Sequence, residues 1–240
     1  MTQGLDDLDV RCKKYYDAGA RFAKWRGVLK IDMANQLPSD LSLHENAVTL
    51  ARYASICQNN GLVPIVEPEI LMDGSHSIED AFEITVKTLR IVYEELARHH
   101  VDIECTLLKP NMVRQGVSSS NTITAADIGK WTVDALLASV PSTMPGVVFL
   151  SGGMSEVEAS VALNEINRTG KNTPWYLTFS YGRALQSSVL KTWQGLPQNR
   201  EKAQSVLYRR AKANGLAALG KYEKEIENDA TSLHEANYAY

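Results

Sequence analysis

Apolar residues along the chain follow two alternating patterns. Ile78, Phe82, Val86, Leu89, Val92 and Leu96 recur every three or four positions, the spacing that lays one apolar stripe along an α-helix. By contrast, Leu62-Val-Pro-Ile-Val66 and Val147-Val-Phe-Leu150 are almost continuously apolar, as strands are when both faces of a parallel sheet are covered. The patterns predict strands at 22–31, 62–67, 105–111, 146–151 and 176–180. Helices are predicted at 44–60, 77–99, 124–139, 155–168, 184–194 and 199–220, with Thr124 and Ser155 placed to cap two of them. Residues 5–16 read as a further helix with no strand ahead of it. Strict alternation of strand and helix argues for an α/β fold with right-handed crossovers.

Polar residues collect at one end of each predicted strand. Lys24, Arg26 and Lys30 lie within the first, and Glu67 and Glu69 end the second. Lys109 and Asn111 end the third, Ser151-Gly152-Gly153 the fourth, and Ser180-Tyr-Gly-Arg183 the fifth. Such groups converge at the carboxyl face of a parallel sheet, where (β/α)₈-barrel enzymes place their active sites. That barrel has eight strands and this pattern has five, so the chain is expected to open partway through one. Five strands would leave two sheet edges unpaired, which favours aggregation or pairing with another chain. Residues 1–222 are expected to form one partial-barrel domain. Residues 223–240 are polar and aperiodic, and are expected to be a flexible tail.

Composition narrows the function class. The 240 residues are 44% hydrophobic and 22% charged, with net charge −3. These values fit a globular protein and give no sign of a nucleic-acid partner. An anionic substrate remains compatible, since a cationic pocket can sit on a mildly acidic protein. No apolar run reaches the roughly 18 residues of a membrane span, and the first residues lack a secretory pattern. A cytoplasmic protein with no membrane partner is expected. Cys12, Cys57 and Cys105 are odd in number and far apart, which points to a reducing compartment and to no disulfide framework. His99 and His100 are adjacent and are expected to close a helix, while His44, His76 and His234 are isolated. No metal site is expected.

The chemistry centres on Lys109. Two leucines precede it and a proline follows, so its stem lies in an apolar strand. Burial lowers a lysine pKa, and nearby Lys24 and Arg26 would push the same way. A neutral amine is what attack on a ketone carbonyl requires. Glu67-Pro-Glu69 puts two carboxylates on one side of an extended strand. One reading makes them an acid/base pair for imine formation; another makes them ion-pair partners of Lys24, Arg26 or Lys109. Ser151-Gly152-Gly153, between a strand and a helix, suggests a phosphate cradle. Arg183 adds a bidentate phosphate donor.

Six motifs carry a resemblance that runs in order over nearly the whole chain. They are Phe22-Ala-Lys-Trp-Arg26, Ala51-Arg-Tyr-Ala-Ser-Ile-Cys57, Val63-Pro-Ile-Val-Glu-Pro-Glu-Ile-Leu71, Thr106-Leu-Leu-Lys-Pro-Asn-Met-Val113, Phe149-Leu-Ser-Gly-Gly153 and Phe179-Ser-Tyr-Gly-Arg-Ala-Leu-Gln186. Together they resemble class I fructose-bisphosphate aldolase, as does the closing Asn237-Tyr-Ala-Tyr240. The match is to about the last two thirds of that family. It implies a TIM (β/α)₈ barrel with its last five β/α units in this chain.

The resemblance also implies roles. Lys109 would form the imine with a ketose phosphate. Glu67 would be the acid/base, and Glu69 would position and tune Glu67 and Lys109. Lys24 would support charged intermediates, and Arg26 would sit toward the 6-phosphate. Ser151, Gly152, Gly153 and Arg183 would hold the 1-phosphate, with Ser180 and Gly182 shaping that pocket. Tyr240 would assist proton exchange at the enamine. No cofactor is implied. The implied reaction is cleavage of fructose 1,6-bisphosphate in glycolysis and gluconeogenesis, by a homotetramer in the full-length family. The family's first-strand aspartate and third-strand lysine belong to a region that this sequence lacks. Val113-Arg-Gln-Gly116 departs from the usual Val-Thr-Pro-Gly, and the 32–38 segment is slightly longer than usual. The competing expectation is a catalytically impaired aldolase fragment, or a binding protein derived from one. A third is a different Schiff-base lyase on the same barrel.

Overall fold

The computed structural model describes residues 1–223 and 232–236. The tail expectation for 223–240, and with it Tyr240, falls largely outside the described residues.

Five parallel strands form one sheet in chain order: β1 (Phe22–Leu29), β2 (Val63–Ile70), β3 (Leu107–Leu108), β4 (Gly146–Phe149) and β5 (Tyr176–Phe179). Helices follow them: α2 (Asp40–Asn59), α3 (Ile78–Arg98), α4 (Ala125–Ser139), α5 (Glu156–Thr169), α6 (Arg183–Trp193) and α7 (Arg200–Ala217). The helix α1 (Leu8–Asp17) precedes β1. Sequential order in a parallel sheet is the connectivity of consecutive β/α units of a barrel. All five expected strands and all seven expected helices are present, with shifts at their ends.

The shifts have local causes. Ser77 and Asp80 form a reciprocal cap that starts α3, and Thr124–Asp127 and Ser155–Glu158 do the same for α4 and α5. Helix α2 begins earlier than the apolar pattern predicts, because Ser39 caps it by accepting from the Ser42 N–H. His99 caps the end of α3, and His100 turns left-handed at φ 54°. Strand β3 is shorter than predicted: Ile103–Cys105 is a 3₁₀ turn, and Pro110 has no N–H to extend the ladder beyond Lys109.

Strand β2 instead runs three residues past its predicted end. The Lys109 N–H donates to the Val66 carbonyl at 2.8 Å, so Val66, Pro68 and Ile70 turn their backbone groups toward β3. Pro68 falls where that ladder has ended and needs no donor. The Ile70 N–H is then met by the Asn111 side-chain oxygen at 3.1 Å. Asn111 thereby splints the end of β2 to the loop after β3.

The main core lies between sheet and helices and includes Leu50, Tyr53, Val66, Leu89, Leu108, Val147, Phe149 and Leu163, each at most 1% exposed. Burying an aliphatic or aromatic side chain of this kind contributes roughly 1.5–3 kcal/mol. The strand starts are less covered than continuous apolarity suggests: Phe22 is 65% and Tyr176 84% exposed. Cys12 and Cys57 are buried with free thiols, and Cys105 is exposed. No described helix is long and apolar enough to cross a membrane.

Candidate active site

The two-residue period of β1 and β2 builds the first half of the site. Trp25 turns to the helix layer, where its ring centroid lies 5.5 Å from that of Tyr53. Lys24 and Arg26 therefore take the opposite face, and Glu67 and Glu69 share it from β2. Lys24 Nζ stands 2.7 Å from Glu67 Oε2, and Lys109 Nζ stands 3.2 Å from Glu67 Oε1. Glu67 thus bridges two lysines. Arg26 Nε donates to Glu69 Oε2. The ion-pair reading of the glutamates is realised, and it leaves Glu67 in contact with the one amine that needs an acid/base partner.

Glu67 is 1% exposed and Lys109 6%. Burial is the largest influence on Lys109 and holds its amine below the ordinary lysine value; Glu67 pulls it back up, Lys24 pushes it further down, and Glu69 again raises it.

The second half comes from the strand ends of β4 and β5. Ser151 is buried, and Gly152 and Gly153 have φ of 56° and 88°, a left-handed region that favours glycine. This turn brings the chain to Ser155 and the start of α5. Across from it Gly182 precedes Arg183, the first residue of α6. Tyr181 points into the core and its hydroxyl donates to the Ala159 carbonyl at 3.0 Å, which fixes the 180–183 turn against α5.

Both halves open on one cleft of about 650 Å³. Arg26, Glu67, Glu69 and Lys109 line one side, and Ser151, Gly152, Ser180, Gly182 and Arg183 line the other. Lys24 reaches the site through Glu67, and Gly153 borders it from beneath the segment 232–236. Leu233 N–H donates to the Gly153 carbonyl at 3.0 Å, and Arg183 donates to the Leu233 carbonyl. A Cβ on Gly153 would lie 2.8 Å from His234 Cα. The carboxyl-terminal segment therefore lies across the cradle expected to hold phosphate.

Sequence reasoning missed two contributors. One is the task of Asn111: its place at the end of β3 is read from the sequence, but not that its side chain accepts the Ile70 N–H. The other is the Leu233 backbone, which uses no distinctive side chain and leaves no signal in a polar tail.

A buried lysine–glutamate pair thus faces a glycine-rich turn and an arginine across the cleft. The model of the class-I fructose-bisphosphate aldolases covers residues 1–240. This chain belongs to the class I fructose-bisphosphate aldolase family. It is 56% identical over 241 aligned residues to the aldolase of Dictyostelium discoideum, spanning all of this chain and 67% of that protein. Identity is 58% to the Plasmodium falciparum aldolase and 57% to a cytosolic aldolase of Arabidopsis thaliana, of which the chain spans 65% and 61%. The Plasmodium falciparum aldolase, solved in a ternary complex with TRAP and a small-molecule inhibitor, superposes with TM-score 0.91 at 60% identity, over 92% of this chain and 63% of that one. The chain therefore spans about two thirds of the length of these relatives. Its five strands are consecutive strands of the aldolase barrel.

Proposed function

We propose that this chain carries the imine-forming and 1-phosphate-binding parts of the reversible cleavage of fructose 1,6-bisphosphate to dihydroxyacetone phosphate and glyceraldehyde 3-phosphate. The observation that carries this reading is the buried Lys109 amine 3.2 Å from Glu67. The neutral amine adds to the C2 carbonyl. Glu67 gives a proton to the carbinolamine hydroxyl, which leaves as water, and a protonated imine remains. The C3–C4 bond then breaks with its electron pair moving into the imine, and the Glu67 carboxylate, which gave up its proton at dehydration, takes the proton of the C4 hydroxyl. The aldehyde is released, and an enamine is left on Lys109. A proton returned to C3, with Tyr240 assisting, regenerates the imine for hydrolysis.

Ser151, Gly152, Gly153 and Arg183 hold the 1-phosphate, with Ser180 and Gly182 shaping the pocket. Lys24 steadies the carboxylate of Glu67, Glu69 orients Arg26, and Arg26 faces the 6-phosphate. Phosphate binding displaces the Leu233 carbonyl from Arg183. The setting is glycolysis and gluconeogenesis in the cytoplasm, as the cytosolic Arabidopsis relative supports, with subunits assembled as an oligomer.

The test is borohydride reduction of the chain with dihydroxyacetone phosphate, followed by peptide mass spectrometry. A reduced adduct on Lys109, lost in Lys109→Met, is expected. An unmodified Lys109 would sink the proposal. An adduct without bisphosphate cleavage would confine it to the imine half.

A further inference from the structure

Beneath the 151–153 loop lies a small cavity of about 20 Å³, bordered by Arg114, His76, Asn111, Ser151 and Gly152. Arg114 comes from the loop after β3. Its Nε is shielded from solvent and has no hydrogen-bond partner among the described residues. The acidic group whose field reaches Arg114 is Glu158, in the first turn of α5. Glu158 is already engaged: its carboxylate accepts the Ser155 N–H at 2.9 Å. Burial above all, and the adjacent guanidinium, depress His76 against the pull of Asp80 and of the Arg114 backbone, which favours neutral His76 beside a charged Arg114.

A guanidinium stays charged at any ordinary pH; Arg114 is half-buried, and a donor shielded from water with no acceptor is costly. The backbone that Arg114 shares this cavity with, Ser151 and Gly152, is the backbone proposed above to receive phosphate.

We propose that Arg114 sets phosphate affinity from behind the loop: its guanidinium places positive charge under Ser151 and Gly152, and a phosphate seated on them is its counter-charge. This rests on the proposed 1-phosphate site. Arg114 does not touch the reacting atoms, so it acts on binding and leaves the imine chemistry alone.

The test uses the full chain with inorganic phosphate, in wild type and in the two neutral variants Arg114→Met and Arg114→Gln. Phosphate raises the melting temperature of wild type, and most of that rise is lost in both variants. Arg114→Lys, which keeps the charge, retains part of it. In borohydride trapping, the concentration of dihydroxyacetone phosphate for half-maximal adduct rises about tenfold in the neutral variants, the scale of one interaction with a charged group. Half-saturation by unphosphorylated dihydroxyacetone stays unchanged. Equal phosphate stabilisation in wild type and neutral variants, none in wild type, or equal weakening for both ketones would each overturn the proposal. Loss of the Lys109 adduct in wild type would instead strike the Schiff-base reading, and the phosphate arm would still report on Arg114.

Discussion

The two sides of the cleft are built by different means. On the β1–β3 side, side chains hold side chains: Glu67 bridges Lys24 and Lys109, and Arg26 is locked to Glu69. On the β4–β5 side the working surface is largely backbone, turned outward by left-handed glycines, and Arg183 is engaged with a peptide carbonyl of the carboxyl-terminal segment. The difference fits the two tasks proposed above. An amine that must lose and regain protons needs carboxylates at fixed distance, because its pKa is a balance of burial against charge. An anion needs N–H groups and a flexible cation that can exchange partners, because it must leave again. The first side is therefore preorganised by ion pairs, and the second is proposed to be exchangeable.

Glu67→Gln is the largest test of that contrast. It removes the acid/base group and leaves the phosphate cradle intact. Imine formation should slow by about 10²–10⁴-fold, the range of general acid–base catalysis, and to the same extent with dihydroxyacetone and its phosphate, as stopped borohydride trapping would measure. A slowing confined to the phosphorylated ketone would erase the distinction between the two sides.

Arg183→Met comes next. Losing one charge-assisted contact costs roughly 1.5–3 kcal/mol, or about ten- to a hundred-fold in half-saturation by dihydroxyacetone phosphate. The unphosphorylated ketone should be unaffected. Isothermal titration with inorganic phosphate gives an independent reading, and undiminished affinity there would remove Arg183 from the clamp.

Lys24→Met has the smallest effect and tests sign rather than size. Lys24 lowers the pKa of Lys109, so its removal raises it. Less neutral amine is then present at a given pH, and the pH midpoint of trapping moves upward. A midpoint that stays put or falls would mean that Lys24 does not depress Lys109.

The preorganised side was also the more legible. Lys109 between Leu108 and Pro110, and Glu67-Pro-Glu69 on an extended strand, announce burial and shared facing through local spacing alone. What spacing could not tell was which carboxylate meets which cation. β1 and β2 align Lys24 with Ile65 and Arg26 with Glu67, yet Lys24 pairs with Glu67 and Arg26 with Glu69, so each cation reaches two residues ahead of its register partner, toward the carboxyl end of β2. The exchangeable side was legible only as a glycine-rich turn and an arginine. Its occupation by Leu233 depends on a main-chain carbonyl arriving from some fifty residues away, and backbone groups are the same in every sequence. The fold was read from periodicity for the same reason that its ends were misplaced: Ser39 and Asn111 act through single hydrogen bonds that no apolar pattern records.

One guanidinium far from the cleft governs more than its own helix. Arg210 of α7 is 3% exposed, and its Nη2 donates to the Ala184 carbonyl at 2.7 Å and to the Glu156 carbonyl at 2.9 Å. Those carbonyls lie in the first turns of α6 and α5, beside Arg183 and just past the 151–153 loop. The proposed phosphate clamp thus has its two jaws riveted to a common buried pin. Exchanging Arg210 for a neutral residue would leave every proposed ligand-touching side chain in place, yet free the jaws to drift apart. Natural variation at this buried position would then surface as altered sugar-phosphate affinity.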